Sequence, residues 1–328
     1  MCFKHAVILT VYFIGIALAP SVQAINEINI NTDGRLSMHP FNHQIKGEKI
    51  MQKSTLPDFS RPVKSEMQLS RYERGWEKLK EIDGEAGEKV IQSLKDVSPD
   101  LGTYIIEYAF GDVYSRTGLD LKSKEIAVVA ALTAMGNAQP QLKVHINGAL
   151  NTGTSINELK EVILQMSGYS GFPSSINAMN ILKDVLAERK KQGIHDEIGK
   201  TASKINHVDR LKLGEDELSQ LDSQQVDRLK TAYAEFSPEL LKFILEYGYA
   251  DIYARDNLSK QYRQIATLTA LGTAQPQLKF HIHAGLNIGL SETEIKEIML
   301  LMSVYSGFPS AINGTNVLKQ VLAERIKN

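Results

Sequence analysis

Cysteine is all but missing from this chain: Cys2 is the single thiol among 328 residues. One thiol cannot build a disulfide framework. Because Cys2 falls in a segment expected to be removed, the mature chain has no thiol nucleophile, no redox pair and no thiolate metal ligand. Charge of one sign is missing too, since 37 basic residues face 38 acidic ones. That balance gives no electrostatic case for nucleic acid or an anionic membrane as partner. A glycine-rich phosphate loop, a His-Glu-x-x-His zinc motif and a nucleophile-elbow serine are all lacking. Long apolar runs are confined to Ala6–Leu18, shorter than the roughly 20 residues that span a bilayer. Lys4 and His5 precede that run and Val22-Gln23-Ala24 follows it, the layout of a secretory signal cleaved after Ala24. The sequence therefore predicts a periplasmic or secreted protein with no stable membrane insertion after cleavage.

What is present is a globular composition, 43% hydrophobic and 23% charged, in a chain long enough for two domains. An internal duplication supplies them. Ala138–Lys143 recurs as Ala274–Lys279, Tyr169–Ser174 as Tyr305–Ser310, and Val185–Arg189 as Val321–Arg325, all offset by 136. Upstream, Glu107–Asp112 matches Glu246–Asp251 at an offset of 139. A three-residue difference in the loops after Arg116 and Arg255 accounts for the two offsets. Two long copies indicate duplicated domains and not a solenoid. The boundaries read as a signal at 1–24, an extended, proline-containing arm at 25–70, a first domain at 71–189, a linker at 190–213 and a second domain at 214–328.

Both copies carry the same helix punctuation. Ser98-Pro99-Asp100 and Ser237-Pro238-Glu239 offer an N-cap, a proline at the first helical position and an acid in the first turn. Ser155 with Glu158 and Ser291 with Glu294 are capping boxes. Apolar residues between these marks keep a helical period, as in Ile156, Leu159, Val162, Ile163 and Met166. No stretch has the strict alternation or the Asn-Gly turns of a hairpin sheet, so the fold class is all-α, with five or six helices per copy.

Three paired sets of residues are candidates for chemistry. On a helix of about 100° per residue, Leu101, Ile105, Tyr108 and Asp112 share a face, as do Leu240, Ile244, Tyr247 and Asp251. An acid ending an apolar stripe needs a partner; the nearest in sequence are Arg116 and Arg255, and a structural ion pair is as good a reading as a site. Glu107 and Glu246 have aromatic neighbours that favour a raised pKa and a general-acid role; surface glutamates beside packed rings would look the same. His145 and His281 are followed by Gly148-Ala149 and Ala284-Gly285. Small residues there predict open space beside an imidazole that titrates near neutrality, or close helix packing around a core histidine. No metal-ligand spacing is visible.

The ordered set Leu119–Glu125, Ala131–Gly136, His145-Ile146, Gly148–Leu150, Glu158–Val162 and Tyr169–Pro173 with Asn177 resembles the carboxymuconolactone decarboxylase-like (alkylhydroperoxidase D-like) family in both copies. Tyr108–Arg116 is similar to the segment upstream in γ-carboxymuconolactone decarboxylase. The resemblance implies two tandem helical domains, assembly into homo-oligomers (here trimers of two-domain chains) and a carboxy-lyase activity without a cofactor or metal on a small organic acid or lactone. By the same analogy His145 or His281 would protonate carbon, Asp112 or Asp251 would orient or relay, Arg116 or Arg255 would hold a carboxylate, and Tyr169 and Tyr305 would contact substrate. Glu107 and Glu246 complete the catalytic set. The redox branch of the family uses Cys-x-x-Cys where this chain has Asn137–Pro140 and Thr273–Pro276, so thiol peroxidase activity is not implied. Glu125, a position where the family often has an acid, aligns with Gln261 at the 136 offset, which makes the two sites inequivalent. The rival from another class is a non-catalytic periplasmic binding or assembly module.

Overall fold

The computed structural model describes residues 69–205, 209–272 and 275–327; the signal segment and nearly all of the arm lie outside them. Among these residues the regular structure is entirely helical. The first copy runs α1 (Arg71–Ser93), α2 (Pro99–Tyr104, continuing as π-helix Ile105–Tyr114), α3 (Leu121–Met135), α4 (Gln139–Asn151), α5 (Ile156–Ser170) and α6 (Phe172–Lys191). The second runs α7 (Arg210–Leu221), α8 (Gln225–Tyr233), α9 (Pro238–Phe243, continuing as π-helix Ile244–Tyr253), α10 (Lys260–Leu271), α11 (Gln275–Asn287), α12 (Glu292–Tyr305) and α13 (Gly307–Lys327). The second copy thus starts at Arg210, inside the expected linker, and α7 with α8 repeats the single long α1.

Local sequence accounts for the helix starts. Ser155 and Ser291 accept from the amides of Glu158 and Glu294, whose carboxylates return to the cap amides. Asp120 and Ser259 cap α3 and α10 through the amides of Ser123 and Tyr262. These two caps stand equally far from Tyr114 and Tyr253, so the connecting loops have equal length. The three-residue difference between the copies lies instead in the helices, α3 having 15 residues and α10 only 12. The expected loop indel is corrected accordingly.

The copies do not fold back on themselves separately. α3 packs along α10, and α5 and α12 each reach into the opposite copy. One buried cluster contains Ile126, Val129, Ile146 and Met166 together with Ile265, Leu268, Ile298 and Leu318. Two buried carboxylates fasten the seam. Glu297 accepts from Arg116 at 2.7–3.0 Å, and Glu161 accepts from Arg255 at 2.7–3.0 Å and from Arg263 at 3.1 Å. Near each π-helix the chain needs a glycine: a Cβ on Gly75 would stand 1.9 Å from the Ile106 carbonyl oxygen, and one on Gly214 2.0 Å from that of Leu245. The wide π turns leave amides bonded five residues back, as Ser115 to Phe110 and Ala254 to Tyr249.

Candidate functional site

The imidazole of His145 lies in the seam between the copies, only 7% exposed. α4 presents it towards α3, where Glu125 Oε2 accepts from Nδ1 at 3.0 Å. Its Nε2 faces the Tyr305 hydroxyl, 3.1 Å away, on the last turn of α12 in the second copy. Tyr305 meets Tyr114 at 2.9 Å, and Tyr114 donates to Glu125 Oε1 at 2.7 Å. His145, Tyr305, Tyr114 and Glu125 therefore close a ring of hydrogen bonds that no single copy could build.

Asp83 completes this cluster. It is the residue before Gly84, whose φ of 52° breaks α1. The open space expected beside the histidine proves to be the place where a carboxylate pair approaches Gly148. A Cβ at Gly148 would lie 2.8 Å from Asp83 Oδ1 and 2.9 Å from Glu125 Oε2. Burial pushes the Asp83 carboxyl up to about 7, with His145 opposing and Glu125 adding to the rise. Burial alone would push His145 down, but the charge and hydrogen bond of Glu125, with the charge of Asp83, outweigh it and hold the imidazole above its ordinary value. Burial and then the Glu125 charge raise the Tyr114 and Tyr305 hydroxyls, keeping both protonated.

The second copy repeats the scaffold without the charge. His281 Nδ1 pairs with Gln264 Oε1 at 3.0 Å, and Gln264 Nε2 donates to Tyr253 at 3.2 Å. Tyr169 of the first copy packs its ring against His281 and places its hydroxyl 3.3 Å from that of Tyr253. The structural counterpart of Glu125 is therefore Gln264, not Gln261, which bonds the Ile288 carbonyl instead. Asp222 corresponds to Asp83, since Asn287 donates to the Leu221 carbonyl as Asn151 does to that of Ile82. It turns away, however, to cap the Gln224 amide and pair with Arg228. With both carboxylates gone, burial alone depresses His281 to about 3.

Several expected site residues sit elsewhere. Asp112 accepts from Arg71 and Arg74, and Asp251 from Arg210, so neither pairs with Arg116 or Arg255. The π-helical turns explain this, because they rotate Asp112 and Asp251 off the α-helical face on which they had been placed. Glu107 and Glu246 join the same pairs through Arg71 and Arg210, at 3.4 and 3.2 Å. Arg116 and Arg255 turn Nε and Nη2 to Glu297 and Glu161 across the seam. Only the two histidines and the two tyrosines of the expected set come together. Sequence reasoning missed Asp83 and Tyr114, and it also missed Lys124. This last buried cation donates to the Tyr114 carbonyl at 2.9 Å and the Arg116 carbonyl at 2.5 Å, closing the C-terminal end of the π-helix.

Duplicated helices joined through a shared seam, with an imidazole–carboxylate–tyrosine ring inside it, define the class of protein. Residues 99–184 and 238–320 each match the Carboxymuconolactone decarboxylase family. The 4-carboxymuconolactone decarboxylase of Acinetobacter baylyi is 34% identical over 119 residues, covering 36% of this chain and 88% of that one. An uncharacterized 15.0 kDa protein of Paracoccus denitrificans is 32% identical over 103 residues (31% and 77%). Nitrosuccinic acid decarboxylase of Metarhizium robertsii is 32% identical over 89 residues (27% and 62%). The chain belongs to the carboxymuconolactone decarboxylase family, as a tandem two-domain member.

Proposed function

We propose that this protein is a decarboxylase, or a closely related proton-transfer enzyme, of small organic acids or lactones, and that it works through one site per chain, centred on His145. The observation that carries this reading is the contrast between the two imidazoles. His145 is tied to Glu125 and held above its ordinary pKa, whereas His281 is tied to Gln264 and held at about 3. Loss of carbon dioxide breaks a C–C bond and leaves the electron pair on the substrate carbon. A proton must then be delivered to that carbon, and an imidazolium near neutrality is a suitable donor. His145 Nε2 offers the proton on the side where Tyr305 stands. Tyr305 and Tyr114 link that edge back to Glu125, a path along which a proton taken up from solvent can be passed to the imidazole after each turnover. Decarboxylase names among the relatives support this class of reaction.

The second copy, lacking both carboxylates, fits the non-catalytic reading for its own half: it completes the first site by supplying Tyr305. Export, and assembly of the two-domain chains into a trimer, belong to the same proposal. The pseudo-symmetric exposed rings Tyr104, Phe243, Phe172 and Phe308 give such an assembly apolar surface to cover.

The test is carbon dioxide release from a panel holding 4-carboxymuconolactone, nitrosuccinic acid and simple 3-oxo acids. His145→Asn should lower turnover by roughly 10²- to 10⁴-fold, while His281→Asn should leave it nearly intact. Equal losses in the two variants, or none in His145→Asn, would overturn the assignment.

A further inference from the structure

We propose that Asp83, Glu125 and His145 form a binding site for one divalent first-row transition-metal cation per chain, of the zinc or manganese kind. This goes beyond the reaction above and does not depend on it, and it departs from the metal-free expectation of the sequence. The three side chains come from α1, α3 and α4, so no local spacing announces them. Yet one ligand atom from each lies within 4.8 Å of the others. All three are buried, at 4%, 0% and 7% exposure.

The donor chemistry is suitable. Two carboxylates and one imidazole make a three-ligand set that leaves a coordination position free for water or a substrate oxygen. An imidazole among the ligands favours zinc, manganese or iron over magnesium and calcium, and the lack of thiolate disfavours copper(I).

A second observation points to a ligand there. Among the described residues no group donates to Asp83 Oδ1, although it is buried. That oxygen and Glu125 Oε2 are aimed at the same small gap beside Gly148, where a methyl group would stand 2.8 and 2.9 Å from them. An unpaired buried carboxylate is costly, and a divalent ion between the two would balance both charges with the imidazole neutral.

The second copy serves as an internal control. Gln264 replaces Glu125, and Asp222 is withdrawn to Arg228. Binding should accordingly show one ion per chain, not two. His145 Nε2 stays on Tyr305, so an ion on the Nδ1 side would take the place of the bond to Glu125 and hold the imidazole neutral while it is bound.

The experiment uses the full chain, stripped with chelator and titrated calorimetrically with zinc chloride and, separately, manganese chloride. One ion per chain should bind. Asp83→Asn and His145→Asn should weaken it by more than the about 10- to 100-fold that outer-shell losses produce, while His281→Asn should bind as the parent does. Gly148→Ala, which removes no ligand but fills the gap, should also abolish binding. Melting curves of the stripped variants establish that they are folded. An anomalous-scattering peak from zinc in crystals of the parent chain decides the case even if a variant misfolds. Failure to bind, two ions per chain, full binding by Asp83→Asn, or a peak away from these three side chains would each overturn the proposal. Carbon dioxide release is measured separately with and without chelator, so the fate of the decarboxylase reading is read independently.

Discussion

Acidification should unfold this protein partly through one residue, His281. The folded chain holds its imidazole at about 3 because it is buried without a carboxylate, while an unfolded histidine titrates near 6.5. The depressed folded value means the unfolded chain takes up the extra proton between these limits. Stability from this group is therefore full above about pH 6.5 and falls as pH drops towards 3. Each pH unit is worth about 1.4 kcal/mol, so His281 should remove close to 3 kcal/mol between about pH 6.5 and 4.5, and up to about 5 by pH 3. That is a large share of a typical folding free energy of roughly 5–15 kcal/mol. The perturbation is His281→Asn, whose amide can still donate to Gln264. Urea unfolding at pH 7.0 and 4.5 measures the effect. The parent should lose about 3 kcal/mol more than the variant between those two values. His145 contributes with the opposite sign: its folded value is raised, so its stabilisation is complete below about pH 6.5 and lost as pH climbs through the folded value. Identical pH slopes for the parent and His281→Asn would refute the claim that this imidazole is buried neutral.

Three further outcomes follow from the seam and the site. Glu161→Ala strips the partner from Arg263, which is 0% exposed, and from Arg255, and should cost about 3–5 kcal/mol in urea unfolding because a buried cation is left uncompensated. Gly75→Ala should be destabilising in a thermal melt despite gaining about 1 kcal/mol of helix propensity, since the new methyl would meet the Ile106 carbonyl at 1.9 Å. Tyr305→Phe removes the hydroxyl from His145 and Tyr114; if the ring of hydrogen bonds reloads the imidazole, carbon dioxide release should fall by about fivefold or more, the equivalent of one hydrogen bond of about 1 kcal/mol, with the fold intact by circular dichroism.

Much of the architecture was open to a reader of the amino-acid string. Capping boxes at Ser155 and Ser291, the prolines opening α2 and α9, and the 3.6-residue period are local features, settled within one helical turn. The duplication identified His145 and His281 as a pair before any coordinate. Where local rules were pushed further they failed for identifiable reasons. A wheel of constant pitch cannot follow Ile105–Tyr114, because π turns change the angle between successive side chains. Carrying the 136 offset of the downstream repeats back to Glu125 hid the fact that α3 and α10 differ in length, and so mated Glu125 with the wrong glutamine.

The sequence by itself determined the helices, their starts, the two copies and the paired histidines, because each of these depends on residues close together along the chain. Tertiary structure alone decided which side chain each histidine meets, that Tyr305 and Tyr169 cross into the opposite copy, and that Arg116 and Arg255 pair with Glu297 and Glu161. Those pairings join residues on separate helices across a shared core. Charge, burial and hydrogen bonding act there through space, so Glu125 and Gln264, at matching points of one repeated scaffold, raise one imidazole above its ordinary pKa and leave its twin depressed to about 3.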